Sequence, residues 1–396
     1  MNFLLVILLL SLVLIILGII EKKKYIQARN KIDKCIYVNG TRGKSTTTRL
    51  IASGLRKAGY RVMAKTTGTE ARLIYPDGSE IDLKRRGIPR IIEQVKIISK
   101  ASQQDVDILV LECMAISPEM QWVSEHLMVK SDIGVITNIR RDHTDKMGDT
   151  LEEIGETLSL TVPAEGSLVT AENKHLSILE DRAKELNSTI HPVDGSSISE
   201  EQLKQFTYPT FRENAACATK TCQLLDIDRE TALKGMYDAD PDPGAVFLKK
   251  LKIDDINIYF INAFAANDLV STEMVWDKCR EWYQTINLEK LPVIGLLNNR
   301  RDRNFRIKEM TSLIGNKIKF EKIYLVGNSN FITRYSLDQK NTDYSELNIN
   351  KNTDIKNVIK GISQEIQQDY LLFGFGNTKN MGMKIIEYFI ENGDEI

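Results

Sequence analysis

The chain has 396 residues, and its 53 Lys and Arg against 54 Asp and Glu give a formal net charge of −1. This length is enough for two or three domains, and the balanced charge argues against nucleic acid as a partner. Five cysteines without a CxxC pair favour a reducing compartment over a disulfide framework, and the four histidines show no zinc-ligand spacing.

The N-terminus is an almost continuous apolar run over residues 3–20. As a helix it would span roughly 27 Å, about the thickness of a bilayer core. No charge precedes it and three lysines follow at 22–24, which favours a cytoplasmic body. A cleaved signal peptide is the alternative, but the sequence has neither a basic n-region nor a small-residue cleavage site. We predict a transmembrane anchor at 1–21, a polar linker at 22–32, and a single-pass protein of the cell membrane with its catalytic domains in the cytoplasm.

Beyond the linker, short apolar runs alternate with helical patterns. Strands are predicted at 33–38, 61–65, 106–111 and 132–137, with a small hairpin at 73–83. Helices are predicted at 44–58 and near 89–102, 150–161, 173–187 and 211–225. This alternation predicts a doubly wound α/β domain over residues 33–243.

A Pro-Asp-Pro-Gly segment at 241–244 interrupts the pattern, which then restarts. Strands are predicted at 256–261, 291–297, 321–326 and 369–373, and helices at 268–284, 303–314, 352–366 and 379–391. We therefore predict a second, smaller α/β domain of Rossmann-like type over residues 244–396.

A glycine-containing loop follows the first predicted strand and opens the first helix of that domain. Backbone N–H groups of such a loop suit nucleotide phosphates, Lys44 can reach the β- and γ-phosphates, and Ser45 can hold Mg²⁺. The standard motif has a Gly where Val38 lies here, so an ordinary glycine turn is the alternative. The order of strand, loop, Lys-Ser and helix favours ATP and Mg²⁺ as cofactors. The predicted nucleotide-binding residues are Asn39, Gly40, Thr41, Arg42, Gly43, Lys44, Ser45 and Thr46.

Two further residues are candidates for the chemistry. Glu112 ends the apolar run 106–111, and an acid at the tip of a buried strand lies beside the phosphate loop in a parallel sheet, which suits a Mg²⁺ ligand. A surface acid at a strand end is the alternative. His143 lies in a loop, where a lone His is more often structural than catalytic.

The compact loop Gly-Thr-x-Gly-Lys-Ser resembles that of the Mur ligases and folylpolyglutamate synthase. The Asn-x-x-x-Asp-His-x-Asp run at 138–145 resembles their second motif. This resemblance implies that His143 is a ligand of a second metal ion, with Asn138 and Asp142 in support. Those ligases often carry a carbamylated lysine fifteen residues after the His, where this chain has Leu158.

The same resemblance implies other contacts. Asn214 matches the family's adenine-contacting Asn, and Asn262 and Asn267 lie in a segment similar to the loop near ribose and phosphate. The segment 299–303 resembles a Gly-Asp-Arg-Asp stretch. There Arg300, Arg301 or Arg303 would brace the transferring phosphoryl group or a substrate carboxylate. Arg301 is the candidate for catalysis and Arg303 the candidate for nucleotide binding. Arg72 could meet phosphate or carboxylate, or belong to a capped loop.

The order of segments over nearly the whole chain is similar to that of the PgsB/CapB family, ATP-using ligase subunits of bacterial poly-γ-glutamate synthase in the Mur ligase superfamily. The matching segments are the anchor, NGTRGKST, KTTGTEAR, LECMAISP, DHTDKMGDT, PDPGA, NAFAAND and GFGN.

The resemblance implies an ATP-dependent acid–amino-acid ligase with Lys44, Glu112, His143 and Arg301 as catalytic residues. It joins glutamate to a growing chain through γ-carboxyl to α-amine bonds. Partners would be a PgsC/CapC-like membrane subunit and a PgsA/CapA-like export subunit. The sequence does not decide whether the chain also forms a homo-oligomer. The alternative is a membrane-anchored regulatory P-loop ATPase of an export or capsule complex. It shares the loop and anchor but does not explain the Asp-His-Thr-Asp run or the second domain.

Overall fold

The computed structural model describes most of the chain and divides it into two compact units, residues 1–240 and 241–396. The described residues are 3–68, 70–85, 89–208, 210–242, 246–266, 269–285, 288–299, 310–327, 331–347, 353–378 and 380–394. Each unit is built around its own β-sheet.

The first unit has an eight-stranded sheet in the order β4-β3-β2-β5-β1-β6-β7-β8. Its strands are β1 (Lys34–Asn39), β2 (Val62–Thr66), β3 (Arg72–Ile74), β4 (Glu80–Asp82), β5 (Ile108–Glu112), β6 (Ile133–Ile136), β7 (Ser167–Thr170) and β8 (Thr189–Pro192). All neighbours are parallel except the β2–β3 and β3–β4 pairs. The predicted strands are therefore present, and the predicted hairpin is β3–β4. The sequence patterns did not predict β7 and β8.

The helices of the first unit lie along the chain as follows: α1 (Phe3–Asn30), α2 (Lys44–Lys57), α3 (Ile92–Gln103), α4 (Pro118–Trp122), α5 (Thr144–Met147), α6 (Leu151–Ser159), α7 (Leu176–Glu185), α8 (Glu200–Leu203), α9 (Arg212–Gln223) and α10 (Arg229–Tyr237). A π-helix (Val123–Val129) continues α4, and a 3₁₀ turn covers Gly195–Ser197.

The two faces of the sheet bury separate hydrophobic clusters, as the alternation of side chains along a strand requires. Ile36 and Val38 of β1 pack with residues of α2, α9 and α10. Cys35 and Tyr37 of the same strand pack on the other face with residues of α3. The sheet is thus covered by helices on both sides.

Helix α1 is long and apolar enough to cross a membrane, with a mean hydropathy of 2.7 in its most apolar window and none of that window buried in the protein. It continues to Asn30, so most of segment 22–32, which we predicted as a polar linker, is helical. Arg29 fixes its last turn to the unit. The guanidinium donates to the carbonyls of Val129 (3.0 Å) and Lys130 (2.8 Å) and pairs with Asp132 at 2.8 Å.

The second unit has a six-stranded sheet in the order β13-β12-β11-β14-β10-β9, parallel except for the β9–β10 pair. Its strands are β9 (Leu248–Ile253), β10 (Ile256–Asn262), β11 (Val293–Asn299), β12 (Lys322–Gly327), β13 (Tyr344–Glu346) and β14 (Tyr370–Gly376). Its helices include α11 (Leu269–Thr285), α12 (Phe331–Asp338), α13 (Ile355–Ile366) and α14 (Met381–Asn392). Of the predicted helix 303–314, residues 310–313 are described as helical.

Candidate active site

The loop between β1 and α2 has the backbone of a phosphate-binding turn. Gly40 and Gly43 have φ angles of 121° and 84°. A Cβ at Gly40 would lie 2.1 Å from Thr137 Oγ1, and a Cβ at Gly43 would lie 2.3 Å from Asn214 Oδ1. Helix α2 starts at Lys44 and has no side-chain cap. Its first N–H groups therefore have no capping side chain, which suits an anionic ligand.

The end of β6 holds this loop through side-chain and backbone hydrogen bonds. Asn138 Oδ1 accepts from Thr41 Oγ1 (2.7 Å) and from the N–H of Arg42 (3.1 Å), and Asn138 Nδ2 donates to the Arg42 carbonyl (3.0 Å). Thr137 Oγ1 donates to the same carbonyl at 2.6 Å. Since β1 and β6 are parallel neighbours, both strands deliver these groups to one edge of the sheet. Asn138, predicted in support of His143, thus positions the loop.

The ammonium of Lys44 lies over the loop. It donates to the carbonyls of Gly40 (2.7 Å) and Thr41 (3.3 Å). These carbonyls keep the charged end of Lys44 at the loop. A phosphate bound there would offer it stronger, charge-assisted hydrogen bonds.

Glu112 lies directly beside Ser45. The Ser45 hydroxyl donates to Glu112 Oε2 at 2.9 Å, and the same oxygen accepts from the N–H of Thr67 at 2.6 Å. Glu112 is 2% exposed and ends β5, in register with Val38 of β1. A carboxylate and a hydroxyl are the oxygen donors that Mg²⁺ prefers, so this pair fits a divalent ion shared with a nucleotide.

An ionic cluster around the buried side chain of Lys65 lies near Glu112, and the sequence patterns did not indicate it. Lys65, fully buried, pairs with Glu93 at 2.8 Å, and Glu93 accepts two hydrogen bonds from Arg85 at 2.8 and 2.9 Å. Gln94 donates to the backbone carbonyl of Glu112 at 3.1 Å. Burial opposes ionisation of Glu93, but the hydrogen bonds and charges of Arg85 and Lys65 lower its pKa to about 2.

His143 lies in the loop after β6, where it contacts Asp142. It has a left-handed backbone (φ 46°), and its N–H donates to Asp142 Oδ1 at 3.0 Å. Its Nε2 lies 3.9 Å from Asp142, whose other oxygen lies 3.6 Å from Arg42. Among the described residues no three His, Cys, Asp or Glu side chains are grouped closely enough to hold a metal. Leu158 is fully buried in the core with Ile154 and Leu179. These residues do not fit a second, fully ligated metal site.

Several other predicted residues have structural contacts. The amide of Asn39 donates to Gln121 (2.8 Å) and Thr161 (2.9 Å), so its side chain is bonded within the fold. Asn262 is fully buried and accepts from the N–H of Phe264 at 3.3 Å.

Of the remaining predicted residues, two lie in the described part of the chain and four lie outside it. Arg72 pairs with Glu70 and with Asp82, which leaves it engaged within the hairpin region. Thr46 lies in the first turn of α2 and is partly buried. Asn267, Arg300, Arg301 and Arg303 lie outside the described residues.

Comparison with known proteins gives two family matches that together span most of the chain. The Mur ligase middle domain matches residues 38–237, and the poly-gamma-glutamate synthase CapB C-terminal domain matches residues 248–392.

Two curated relatives are similar over most of their length. The PGA synthase CapB of Bacillus subtilis is 34% identical over 382 residues, which covers 95% of each chain. The capsule biosynthesis protein CapB of Bacillus anthracis is 37% identical over 316 residues, or 79% of this chain and 67% of the relative.

A solved structure has the same fold at low sequence identity. The bifunctional folylpolyglutamate synthase/dihydrofolate synthase of Yersinia pestis, complexed with AMPPNP and a Mn ion, matches with a TM-score of 0.66 and 16% identity. The match covers 94% of this chain and 92% of the other. This match shows that the chain shares the α/β fold of folylpolyglutamate synthases.

Proposed function

Since this chain belongs to the CapB family of poly-γ-glutamate synthases, with a Mur ligase middle domain, we propose that it joins glutamates by γ-amide bonds through an acyl phosphate made from ATP. The chain is an ATP-dependent amide ligase of poly-γ-glutamate synthesis.

The observation that supports it most is the contact of Ser45 with Glu112 at the mouth of the glycine loop. The start of α2 offers uncapped N–H groups to phosphates, and Lys44 lies over the same turn. Ser45 and Glu112 would hold Mg²⁺, whose charge counters that of the β- and γ-phosphates. These residues would thus position and neutralise a nucleotide's terminal phosphoryl group, which is most of what phosphoryl transfer requires.

The reaction needs two steps because a carboxylate is a poor acylating group. In the first, a γ-carboxylate oxygen of glutamate attacks the γ-phosphorus of ATP, the bond to the bridging oxygen breaks, and ADP leaves. In the second, the α-amine of another glutamate attacks the acyl carbon and phosphate leaves with the former carboxylate oxygen. The proton that the amine loses is taken up by the departing phosphate. Lys44 acts in the first step by stabilising charge on the transferring group.

Arg42 of the glycine loop, together with Asp142 and His143 of the loop after β6, is a second candidate for substrate contact. Arg42 brings a cation to the loop, and Asp142 holds it there. Since the described residues around His143 do not form a ligand set, no step of the proposal depends on a second metal ion. Arg301 and Arg303 stay predictions for the same reaction.

We further propose that α1 spans the cell membrane once and that both units lie in the cytoplasm. The length and apolar composition of α1 support a membrane crossing. The lysines that follow its apolar part support the cytoplasmic orientation. The five cysteines are buried and unpaired, in agreement with a reducing compartment. Partners of this chain would be a CapC-like membrane subunit and a CapA-like export subunit.

The test uses membranes that contain the chain and its partner subunits, supplied with ATP, Mg²⁺ and glutamate labelled with ¹⁸O in the γ-carboxylate. We expect ADP, γ-linked polymer and one ¹⁸O atom in the released phosphate. Release of AMP, or phosphate without label, would exclude the acyl phosphate. ATP hydrolysis that does not depend on glutamate would instead indicate a regulatory ATPase.

A further inference from the structure

A cavity of about 350 Å³ lies on the first unit, away from the glycine loop. Its walls are the second half of α2, the β3–β4 hairpin and the end of α10. The lining is strongly charged and of mixed sign. Arg49, Arg56 and Lys57 supply cations, and four carboxylates face them. None of the residues predicted for nucleotide or metal binding lines this cavity.

Two ion pairs within the lining are already closed. Arg49 pairs with Glu80 through both terminal guanidinium nitrogens, with 2.9 Å between Nη2 and Oε2. Lys57 pairs with Asp238 at 3.0 Å. These groups fix the walls of the cavity and offer it little net charge.

Among the described cations that line the cavity, Arg56 is the one for which the structure gives no ion pair with a carboxylate. Its Nη2 donates to Ser53 Oγ at 2.8 Å, whereas its Nη1 is buried and has no hydrogen-bond partner in the described part of the chain. A buried guanidinium N–H without an acceptor costs free energy that a bound carboxylate would recover.

Two carboxylates remain open as well. Asp77 and Asp240 act on Arg56 electrostatically, but within the residues that the structure describes neither forms an ion pair with it. Asp77 is held in place by the N–H (2.9 Å) and hydroxyl (2.7 Å) of Ser79. Its remaining lone pairs and those of Asp240 can accept from an ammonium group.

The mixture of open groups selects the class of ligand. A simple anion that reached Arg56 would meet Asp77 and Asp240, and a simple cation would meet Arg56. A molecule with a carboxylate and an ammonium group a few ångströms apart satisfies both. We propose that this cavity is a second binding site, for a free α-amino acid, whose carboxylate pairs with Arg56 and whose ammonium group pairs with Asp240 and Asp77.

The site has a direct connection to the nucleotide site through one helix. Ser53, Arg56 and Lys57 lie on α2, which begins at Lys44 of the glycine loop. A bound amino acid would tie the far end of α2 to the hairpin and to the residues after α10. The proposal does not depend on the ligase chemistry, because it concerns binding at residues that the proposed reaction does not use.

The test is isothermal titration calorimetry on the full chain in detergent without ATP. The probes are L-alanine, propionate, which lacks the ammonium group, and ethylammonium, which lacks the carboxylate. L-glutamate is a fourth probe. We expect the amino acids to bind at least about 10-fold more tightly than the two half-molecules, since each half leaves one set of charges unpaired. Arg56→Gln and Asp240→Asn should each weaken the binding of L-alanine at least about 10-fold.

Two controls separate this site from others. Lys44→Ala, at the nucleotide loop, and Arg182→Gln, which removes a half-buried guanidinium paired with Glu185, should bind L-alanine as the unchanged chain does. Asp240 is exposed, so its Asn variant has no reason to misfold. Undiminished binding in both Arg56→Gln and Asp240→Asn, or propionate or ethylammonium binding as tightly as L-alanine, would overturn the proposal. So would the absence of any binding by both amino acids.

Discussion

The hydroxyl of Ser45 lies 2.9 Å from Oε2 of Glu112, although 67 residues separate them along the chain. Strand order produces this contact. Ser45 follows β1, Glu112 ends β5, and the two strands are parallel neighbours whose carboxyl ends meet at one edge. The pair presents two oxygen donors next to the uncapped start of α2.

Glu112→Gln tests this pair. The amide still accepts from the N–H of Thr67 but loses the charge that a divalent ion needs. We expect glutamate-dependent ATP turnover to fall roughly 10²-fold or more and the Mg²⁺ concentration for half-maximal activity to rise. The measurement is a coupled ADP assay across Mg²⁺ concentrations. Glu119→Gln, an exposed acid on α4, is the control and should behave as the unchanged chain. Equal Mg²⁺ dependence in both variants would contradict the role of Glu112.

Lys44→Ala should abolish glutamate-dependent ATP hydrolysis and leave the fold intact. In the described part of the chain the ammonium donates hydrogen bonds to two loop carbonyls, so its loss removes little packing. We expect an unfolding free energy within roughly 0.5 kcal/mol of the original. Turnover and urea unfolding are measured on the same preparation, with the exposed Lys96→Ala on α3 as the matched control. If Lys44→Ala retained full turnover, the glycine loop would not be the nucleotide site.

Asn138→Ala should weaken the binding of ATP by the glycine loop more than it slows the chemical step. The variant loses three hydrogen bonds to Thr41 and Arg42, which hold the loop in the conformation proposed to bind ATP. We expect the KM for ATP to rise more than kcat falls, with a loss of about 1–3 kcal/mol in unfolding free energy. Asn392→Ala removes a single exposed amide hydrogen bond near the end of α14 and provides the comparison. A fall in kcat at unchanged KM would instead assign Asn138 to the transferring phosphoryl group.

Ionised Glu93 stabilises the first unit, so the free energy of unfolding should fall at acidic pH. Its folded pKa of about 2 lies below the ordinary value of 4.5, so the ionised form stabilises the fold. That stability is fully present above pH 4.5 and is lost as the pH falls towards 2. It amounts to on the order of 2–3 kcal/mol. Glu93→Gln should be less stable at neutral pH and should lose less stability on acidification. Urea unfolding between pH 7 and pH 3 measures both, with Glu119→Gln as the control. Parallel curves for Glu93→Gln and the unchanged chain would rule out this assignment.

The sequence predicts the fold and the family well, because both depend on local patterns. Apolar runs that alternate with helical patterns predict a two-sheet α/β fold, and the relatives confirm it. The positions of Ser45, Glu112 and Asn138 at one sheet edge follow from their places at strand ends. Their predicted roles in binding stay predictions.

Contacts that depend on the choice between distant partners do not follow from such patterns. Nothing in the residues around Lys65 indicates that Glu93, 28 positions later, pairs with it near Glu112. The polar composition of segment 22–32 predicts a linker, which is wrong for most of it. Its Lys, Gln, Ala and Arg are good helix formers, and α1 continues through it to Asn30. The short strand β8 ends in Pro192 at the edge of the sheet, where a missing N–H is tolerated, and its pattern is too brief to detect.

Arg29→Ala tests how α1 is joined to the first unit. Three contacts of this guanidinium, with Val129, Lys130 and Asp132, link the last turn of α1 to the segment that precedes β6. Arg29 is only 14% exposed, and its removal leaves Asp132 with the more distant Lys34, at 3.6 Å, as its partner in an ion pair. We expect a loss of about 2–4 kcal/mol in unfolding free energy in detergent. Membrane association, measured by flotation, should be unchanged, because the apolar part of α1 is untouched. Lys24→Ala, an exposed position on the same helix, should change neither quantity. If Arg29→Ala unfolds at the same denaturant concentration as Lys24→Ala, α1 is held to the unit by other contacts.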